Sequence, residues 1–241
     1  MPVLIVLELG LQMLCAAHVV RTHRPYYWIF IILAFPLLGS IAYAVAEILP
    51  EFLHSKQARN VVKLIDPDRD YRTLVDQLDT ADTADNRRAL AEECLRRGEA
   101  ERAVLLYEAS LTGTHKDDPT LMFGLARALF ARGEFAACSR TLEALKAANQ
   151  RFDSADAHLL YARSLESQNR VTEAKSEYDA VVRYFPGAEA RCRYALMLQQ
   201  QGETTAARAL FQEVVRALDK AGRRFIRDQR EWYDLARQHL V

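Results

Sequence analysis

The chain has 241 residues, and its 32 Lys and Arg residues balance its 32 Asp and Glu residues, so the formal net charge is zero. A neutral chain lacks the basic face that nucleic-acid binding requires, and we therefore expect no nucleic-acid partner. Its 9 Gly and 7 Pro residues exclude collagen-like and low-complexity classes. The mean hydropathy of −0.15 averages an apolar first fifth with a charged remainder.

Residues 1–50 contain two apolar runs, 3–20 and 26–50, which a short polar turn separates. Crossing a bilayer takes about 20 apolar residues in a helix, and the second run meets that length. The sequence therefore predicts a transmembrane hairpin that contacts membrane lipids. A signal peptide fits less well, because no Lys or Arg precedes the first run. A buried helical hairpin of a soluble protein is the alternative.

Pro36 lies in the middle of the second run. Proline has no N–H group to donate to a helix, so a backbone carbonyl loses its partner. In lipid that carbonyl needs another donor. We therefore expect the second helix to be kinked or re-entrant.

The string RPYYWIFIILAFPLLGSIAY resembles the amino-terminal hairpin of cardiolipin synthases and related phospholipase-D-type proteins. The residues that carry the resemblance are Arg24, Trp28, Pro36, Gly39 and Tyr43. The catalytic signature of that family, His-x-Lys with a downstream Asp, does not follow in the remainder of the chain. The resemblance therefore implies a shared membrane anchor without phospholipase chemistry.

Basic residues flank the second run on both sides, and they bear on membrane topology. Arg21 and Arg24 lie in the turn, whereas Lys56, Arg59 and Lys63 lie in the linker that follows. Because positive charge favours the cytoplasmic side, three charges against two favour a cytoplasmic carboxy-terminal region at the bacterial inner membrane. We assign residues 51–82 to this basic linker and a short capping helix.

Four turns divide the rest of the chain into repeats. Gly98, Gly133, Asn169 and Gly202 follow one another at intervals of 35, 36 and 33 residues. Gly and Asn tolerate the left-handed conformation that closes a helix. Seven residues before each turn lies a small residue, namely Ala91, Ala126, Ala162 and Ala195. The pattern predicts a helix, a tight turn and an antiparallel helix in each unit, and such units must stack to bury their apolar faces.

This period resembles the tetratricopeptide repeat, whose length is about 34 residues. The resemblance covers residues 83–219 and implies an all-α fold, with the transmembrane hairpin followed by an α-solenoid of about four helix pairs. Residues 220–241 are predicted to form a carboxy-terminal capping helix. In that helix, Phe225, Trp232, Leu235 and Leu240 are expected to face the stack.

In tetratricopeptide stacks the first helices line a concave groove that holds peptides. The resemblance implies that this groove is lined here by Arg88, Glu92, Phe123, Arg127, Phe130, Arg163, Glu166, Leu196 and Gln199. Aromatic residues and Arg are the types that dominate binding hot spots. In the alternative interpretation, the Phe rings pack against neighbouring repeats and the charges are solvated.

The sequence contains no motif that indicates catalysis, a cofactor or a metal. Its 4 Cys show no metal-ligand spacing, and three of them are expected to be reduced and packed in the repeats. These patterns predict a membrane-anchored, non-catalytic scaffold that binds a protein or peptide. A non-catalytic accessory subunit of an envelope or phospholipid-synthesis enzyme is the alternative, and self-association of the chain is left open.

Overall fold

The computed structural model describes residues 2–22, 25–48, 66 and 68–240, and every regular element in those ranges is helical. The chain divides into two compact units, Met1–Arg72 and Thr73–Val241. Each unit has its own hydrophobic cluster.

Helices that pack on one another form the described part of the amino-terminal unit. Up to residue 48 they are α1 (Pro2–Arg21), α2 (Tyr27–Ala34), α3 (Pro36–Tyr43) and a π-helical turn (Ala44–Ile48). Both α2 and α3 contact α1, and the cluster between them contains Cys15, Val19, Ile32 and Tyr43. The second apolar run thus forms two helices instead of one.

The break between α2 and α3 lies at Phe35, whose backbone leaves the helical region at φ −129° and ψ 81°. Pro36 then begins α3. Proline cannot donate to the carbonyl of Ile32, and the side chain of Gln12 supplies the missing donor, with its Nε2 atom 3.1 Å from that oxygen. The predicted kink is confirmed, and α1 provides the compensating hydrogen bond.

No helix among the described residues combines the length and the apolar character needed to cross a membrane. The predicted transmembrane spans are therefore not supported. The physical reason in the second run is the break at Phe35, which leaves two helices of 8 residues each. At 1.5 Å per residue, each is only about 12 Å long.

The second unit contains the four predicted helix pairs in chain order. After α4 (Arg69–Thr80) come α5 (Ala84–Arg97) and α6 (Ala100–Ser110) of repeat 1, α7 (Pro119–Arg132) and α8 (Phe135–Ala148) of repeat 2, α9 (Ala155–Ser167) and α10 (Val171–Val181) of repeat 3, and α11 (Glu189–Gln200) and α12 (Thr204–Ala221) of repeat 4. The helices of each pair pack together, and each second helix packs on the first helix of the next repeat. This is the stacked solenoid that the pattern predicts.

All four turns adopt the left-handed conformation that the pattern predicts. The φ angles are 79° at Gly98, 85° at Gly133, 59° at Asn169 and 82° at Gly202. In repeat 3 the N–H of Asn169 donates to the carbonyl of Glu166, and the N–H of Arg170 donates to that of Leu165 at 3.0 Å. This pair of bonds is the Schellman motif, and it satisfies carbonyls at the end of the first helix.

The small residues that precede the turns are fully buried, which lets the helices approach closely. They are Ala91, Ala126, Ala162 and Ala195, each with no exposed surface. Three of the cysteines, Cys94, Cys138 and Cys192, are likewise buried and carry free thiols. The structure thus agrees with the prediction of reduced cysteines packed within the repeats.

The carboxy-terminal segment differs from the single predicted capping helix. It forms α13 (Arg223–Asp228) and α14 (Arg230–Gln238), with the break at Gln229. The side chain of Gln229 accepts a hydrogen bond of 2.6 Å from the N–H of Ala188, immediately before α11. Trp232 and Leu235 pack on the core as predicted. Phe225 does not, because α13 leaves its ring 53% exposed.

Candidate functional site

The residues predicted to line a groove lie on the first helices of all four repeats, and their environments differ. Arg127 and Gln199 are exposed to solvent. Arg88 is half-buried and pairs with Glu92 on its own helix, with 3.0 Å between Nη1 and Oε1. Leu196 packs against the hydrophobic core of repeats 3 and 4.

Phe130 and Arg163 connect repeats 2 and 3 on this surface. The guanidinium of Arg163 lies over the Phe130 ring, 4.5 Å from its centroid, which is the geometry of a cation–π contact. Phe135 contacts the same ring edge-on, with 5.2 Å between centroids. Burial lowers the pKa of Arg163, and nearby Arg193 lowers it further. Phe130 is therefore partly structural, as the alternative interpretation expects.

Two further predicted residues also have partners within the stack. The Phe123 ring lies 6.4 Å from that of Phe152. Glu166 accepts a hydrogen bond of 2.6 Å from the hydroxyl of Tyr178. We define the first-helix surface by Arg88, Glu92, Arg127, Arg163 and Gln199; Arg88 and Arg163 are partly buried, and the others are exposed. It remains a predicted binding surface, with Arg127 its most openly placed cation.

A separate open cleft of about 900 Å³ lies between repeats 2 and 3. Its walls come from α8, α9 and α10, from the loop between α8 and α9 and from the segment after α10, and none of the predicted groove residues lines it. We call it the inter-repeat cleft. Its polar lining includes Glu143, Asp153, His158, Tyr161, Glu177 and Tyr184.

Hydrogen bonds organise the polar side chains of the inter-repeat cleft. The His158 ring contacts Tyr184 Oη through Nδ1 and lies 2.7 Å from Glu177 Oε2 through Nε2. A neutral imidazole fits both contacts by accepting from the tyrosine and donating to the carboxylate. On the neighbouring wall, Tyr161 donates a hydrogen bond of 2.8 Å to Glu143.

The surroundings of the two cleft tyrosines keep their hydroxyl groups protonated. Burial and the hydrogen bond to Glu143 raise the pKa of Tyr161 to about 12. Burial together with the charges of Asp153 and Glu177 raises the pKa of Tyr184. These hydroxyls act as hydrogen-bond donors near neutral pH. No spacing in the sequence links these residues, because only the stacking of repeat 3 on repeat 2 brings them together.

Some of the hairpin residues that carry the resemblance lie close together. Trp28 donates a hydrogen bond of 3.1 Å to Glu47, and its ring meets that of Tyr43 edge-on. Tyr43 is fully buried, with its hydroxyl 2.8 Å from His18 Nδ1. Gly39 lies against the backbone of Ile31, where a Cβ atom would overlap the carbonyl. Arg24 lies outside the described residues, and Pro36 has the structural role given above.

Among its described residues, the amino-terminal unit exposes many large apolar side chains and buries two polar ones beside its apolar cluster. Gln12 and Ser40 are buried, whereas Met13, Phe30 and Leu38 are 73%, 74% and 71% exposed. The amide of Gln12 donates to the backbone carbonyl of Ile32. Water disfavours both the large exposed apolar side chains and the buried polar ones.

No cluster of three or more metal-ligating side chains occurs among the described residues.

Family models for the tetratricopeptide repeat match residues 95–155 and 159–221. No curated protein sequence matches the chain. No comparison supports the resemblance of the hairpin to phospholipase-D-type proteins.

Several solved structures share the fold. The crystal structure of MamA aligns with a TM-score of 0.53 at 18% identity, over 63% of this chain and 88% of that one. A second structure, MamA MSR-1 C2, gives 0.54 at 16% identity, over 63% and 89%. TTC0263, a thermophilic TPR protein of Thermus thermophilus, gives 0.54 at 15% identity, over 75% and 94%. The second unit of this chain is therefore a stack of tetratricopeptide repeats.

Proposed function

We propose that this chain is a non-catalytic scaffold that anchors in the bacterial inner membrane through residues 1–50. Its repeats bind a protein or peptide partner on the first-helix surface. The basic residues after the second apolar run favour the cytoplasmic side for the repeats. The fold supports the scaffold role, since tetratricopeptide stacks supply extended surfaces for partners.

The exposed apolar side chains and the buried polar groups of the amino-terminal unit carry the membrane part of the proposal. Water penalises exposed rings such as Phe30, whereas lipid penalises unsatisfied backbone groups such as the Ile32 carbonyl. The amino-terminal unit exposes the Phe30 ring, and it satisfies the Ile32 carbonyl with a hydrogen bond from Gln12. Insertion into the apolar layer of the membrane accounts for both the exposed ring and the hydrogen-bonded carbonyl. This argument does not depend on how many times the chain crosses the membrane.

Flotation of the full chain with liposomes tests the anchor. We expect the protein to float with the vesicles in a density gradient, and Phe30→Glu/Leu38→Glu to reduce the floating fraction severalfold, because each carboxylate must leave water. Leu105→Glu is the matched control, since Leu105 is 60% exposed and lies in the repeats. Equal flotation of all three proteins would contradict the anchor.

Affinity capture from a bacterial membrane extract in mild detergent tests the binding surface. We expect Arg127→Glu to lose the partner that the unmodified chain retains, because it reverses the one solvent-exposed cation of that surface. Arg140→Glu, at an exposed position on α8, makes the same change elsewhere and should retain it. Retention of the same partner by Arg127→Glu would show that the assigned surface is wrong.

A further inference from the structure

The inter-repeat cleft is a second surface with its own chemistry. Its volume of about 900 Å³ is near the upper end of the roughly 300–1,000 Å³ that ligand pockets occupy. One amino-acid side chain would leave most of that space empty. The cleft therefore has room for a side chain together with adjacent peptide backbone.

The charges around the cleft are mainly negative. Glu143, Asp153 and Glu177 line it, whereas Lys146 is the one Lys or Arg in the lining. Within the described part of the chain, Asp153 forms no ion pair. Glu143 accepts one hydrogen bond, from Tyr161, which leaves most of the acceptor sites of its carboxylate for another donor. An occupant with a positive charge would complement this lining.

Most of the remaining lining is aromatic or apolar. Phe152, Tyr161 and Tyr184 present rings to the cleft, and Leu142 and Leu145 add aliphatic surface. Rings that lie close to carboxylates suit a planar guanidinium, which can stack on a ring and donate two hydrogen bonds to one carboxylate. The aliphatic surface suits the methylene groups of the same side chain.

We propose that the inter-repeat cleft binds an arginine side chain presented by an extended segment of a partner protein. The guanidinium lies among the carboxylates of Glu143, Asp153 and Glu177, against the rings of Tyr161 and Tyr184. This site is independent of the first-helix surface, with which it shares no residue.

Fluorescence anisotropy with the full chain in detergent tests this proposal. The probe is a fluorescein-labelled nine-residue peptide of Gly and Ser with one central Arg. We expect it to bind at least tenfold more tightly than the same peptide with citrulline, which keeps the shape and removes the charge. Glu143→Gln/Glu177→Gln should weaken binding of the Arg peptide at least tenfold, because each amide keeps one acceptor oxygen and loses the negative charge.

One control locates the binding. Glu213→Gln removes an exposed carboxylate from α12 and should leave the affinity unchanged. Thermal melting of each variant establishes that it is folded. Unchanged binding by the folded double variant, or equal binding of the Arg and citrulline peptides, would overturn the proposal.

Competition and mass measurements distinguish other occupants. Agmatine carries the same guanidinium without a peptide backbone, and we expect it to compete at least tenfold less well than the unlabelled Arg peptide. Equal competition would identify a small-molecule site and overturn the protein partner. If the full chain self-associates and Glu143→Gln/Glu177→Gln abolishes the association, the occupant is a second copy of this chain. That result would also overturn the proposal of a separate partner protein.

Discussion

At the scale of single residues, Gly124 shows how closely neighbouring repeats approach. It lies in the first helix of repeat 2, and a Cβ atom there would overlap the ring of Tyr107 in the preceding helix. Tyr107 is buried, with 1% of its surface exposed, so the ring has little freedom to move aside. The absence of a side chain at position 124 is thus a packing requirement of the stack.

Gly124→Ala should lower the free energy of unfolding. Overpacking costs about 1–3 kcal/mol, which exceeds the gain of about 1 kcal/mol that Ala brings to a helix. Urea unfolding followed by circular dichroism measures the change. In a Tyr107→Leu background the ring is absent, and the same substitution should cost much less. An equal cost in both backgrounds would show that the ring is not the cause.

The buried thiols make stability depend on alkaline pH. Burial raises the pKa of Cys138 to about 12, whereas an unfolded thiol ionises near pH 8.5. The unfolded chain therefore releases the proton first, and the stabilisation present below about pH 8.5 is lost as pH rises toward 12. The urea concentration at the midpoint of unfolding should therefore decrease as the pH is raised from 8 to 11. Cys138→Ala should show a shallower fall, and an identical slope would contradict the assignment.

At the scale of elements, each helix pair depends on its turn. Gly98, Gly133 and Gly202 adopt positive φ without steric cost, whereas Asn169 adopts φ 59° as the one residue other than glycine with positive φ among those described. Asn tolerates this region better than most residues, yet it still has a Cβ atom. Repeat 3 therefore has the most strained of the four turns.

Asn169→Gly should raise the melting temperature, because glycine removes the steric cost at that turn. Asn169→Ala should destabilise the protein by about 1–2 kcal/mol, which is the cost of the left-handed region for an ordinary residue. Gly202→Ala is the matched comparison and should also destabilise. A melting temperature unchanged in all three variants would show that the turns do not limit stability.

At the scale of the whole molecule, repeat 4 depends on the carboxy-terminal helices for its outer surface. Helix α14 contacts both α11 and α12. The guanidinium of Arg193 lies 4.9 Å from the centroid of the Trp232 ring, and the thiol of Cys192 donates to the Trp232 carbonyl. A repeat stack needs such a cap, because its last pair would otherwise expose an apolar face.

Trp232→Ala should loosen the end of the stack while leaving its beginning intact, since repeats couple mainly to their neighbours. Hydrogen exchange followed by mass spectrometry should show faster exchange in α11 and α12 and unchanged exchange in α5 and α6. Uniformly faster exchange would instead mean that the repeats unfold as a single cooperative unit.

The repeats could be predicted from the sequence because their signals are local. Gly98, Gly133, Asn169 and Gly202 determine where each first helix ends, and buried residues such as Ala162 determine which faces meet. These features depend on backbone conformation and side-chain size within one unit. The helix pairs and their turns therefore followed from residue spacing alone.

Only the tertiary structure decided features that join distant residues. Gln12 compensates for Pro36 from another helix, and Gln229 breaks the predicted final helix by bonding to Ala188. Stacking brings Glu143 and His158 into one cleft. The periodicity of the sequence specifies which face of a helix is buried, but the partner of a polar side chain depends on where the chain returns in space.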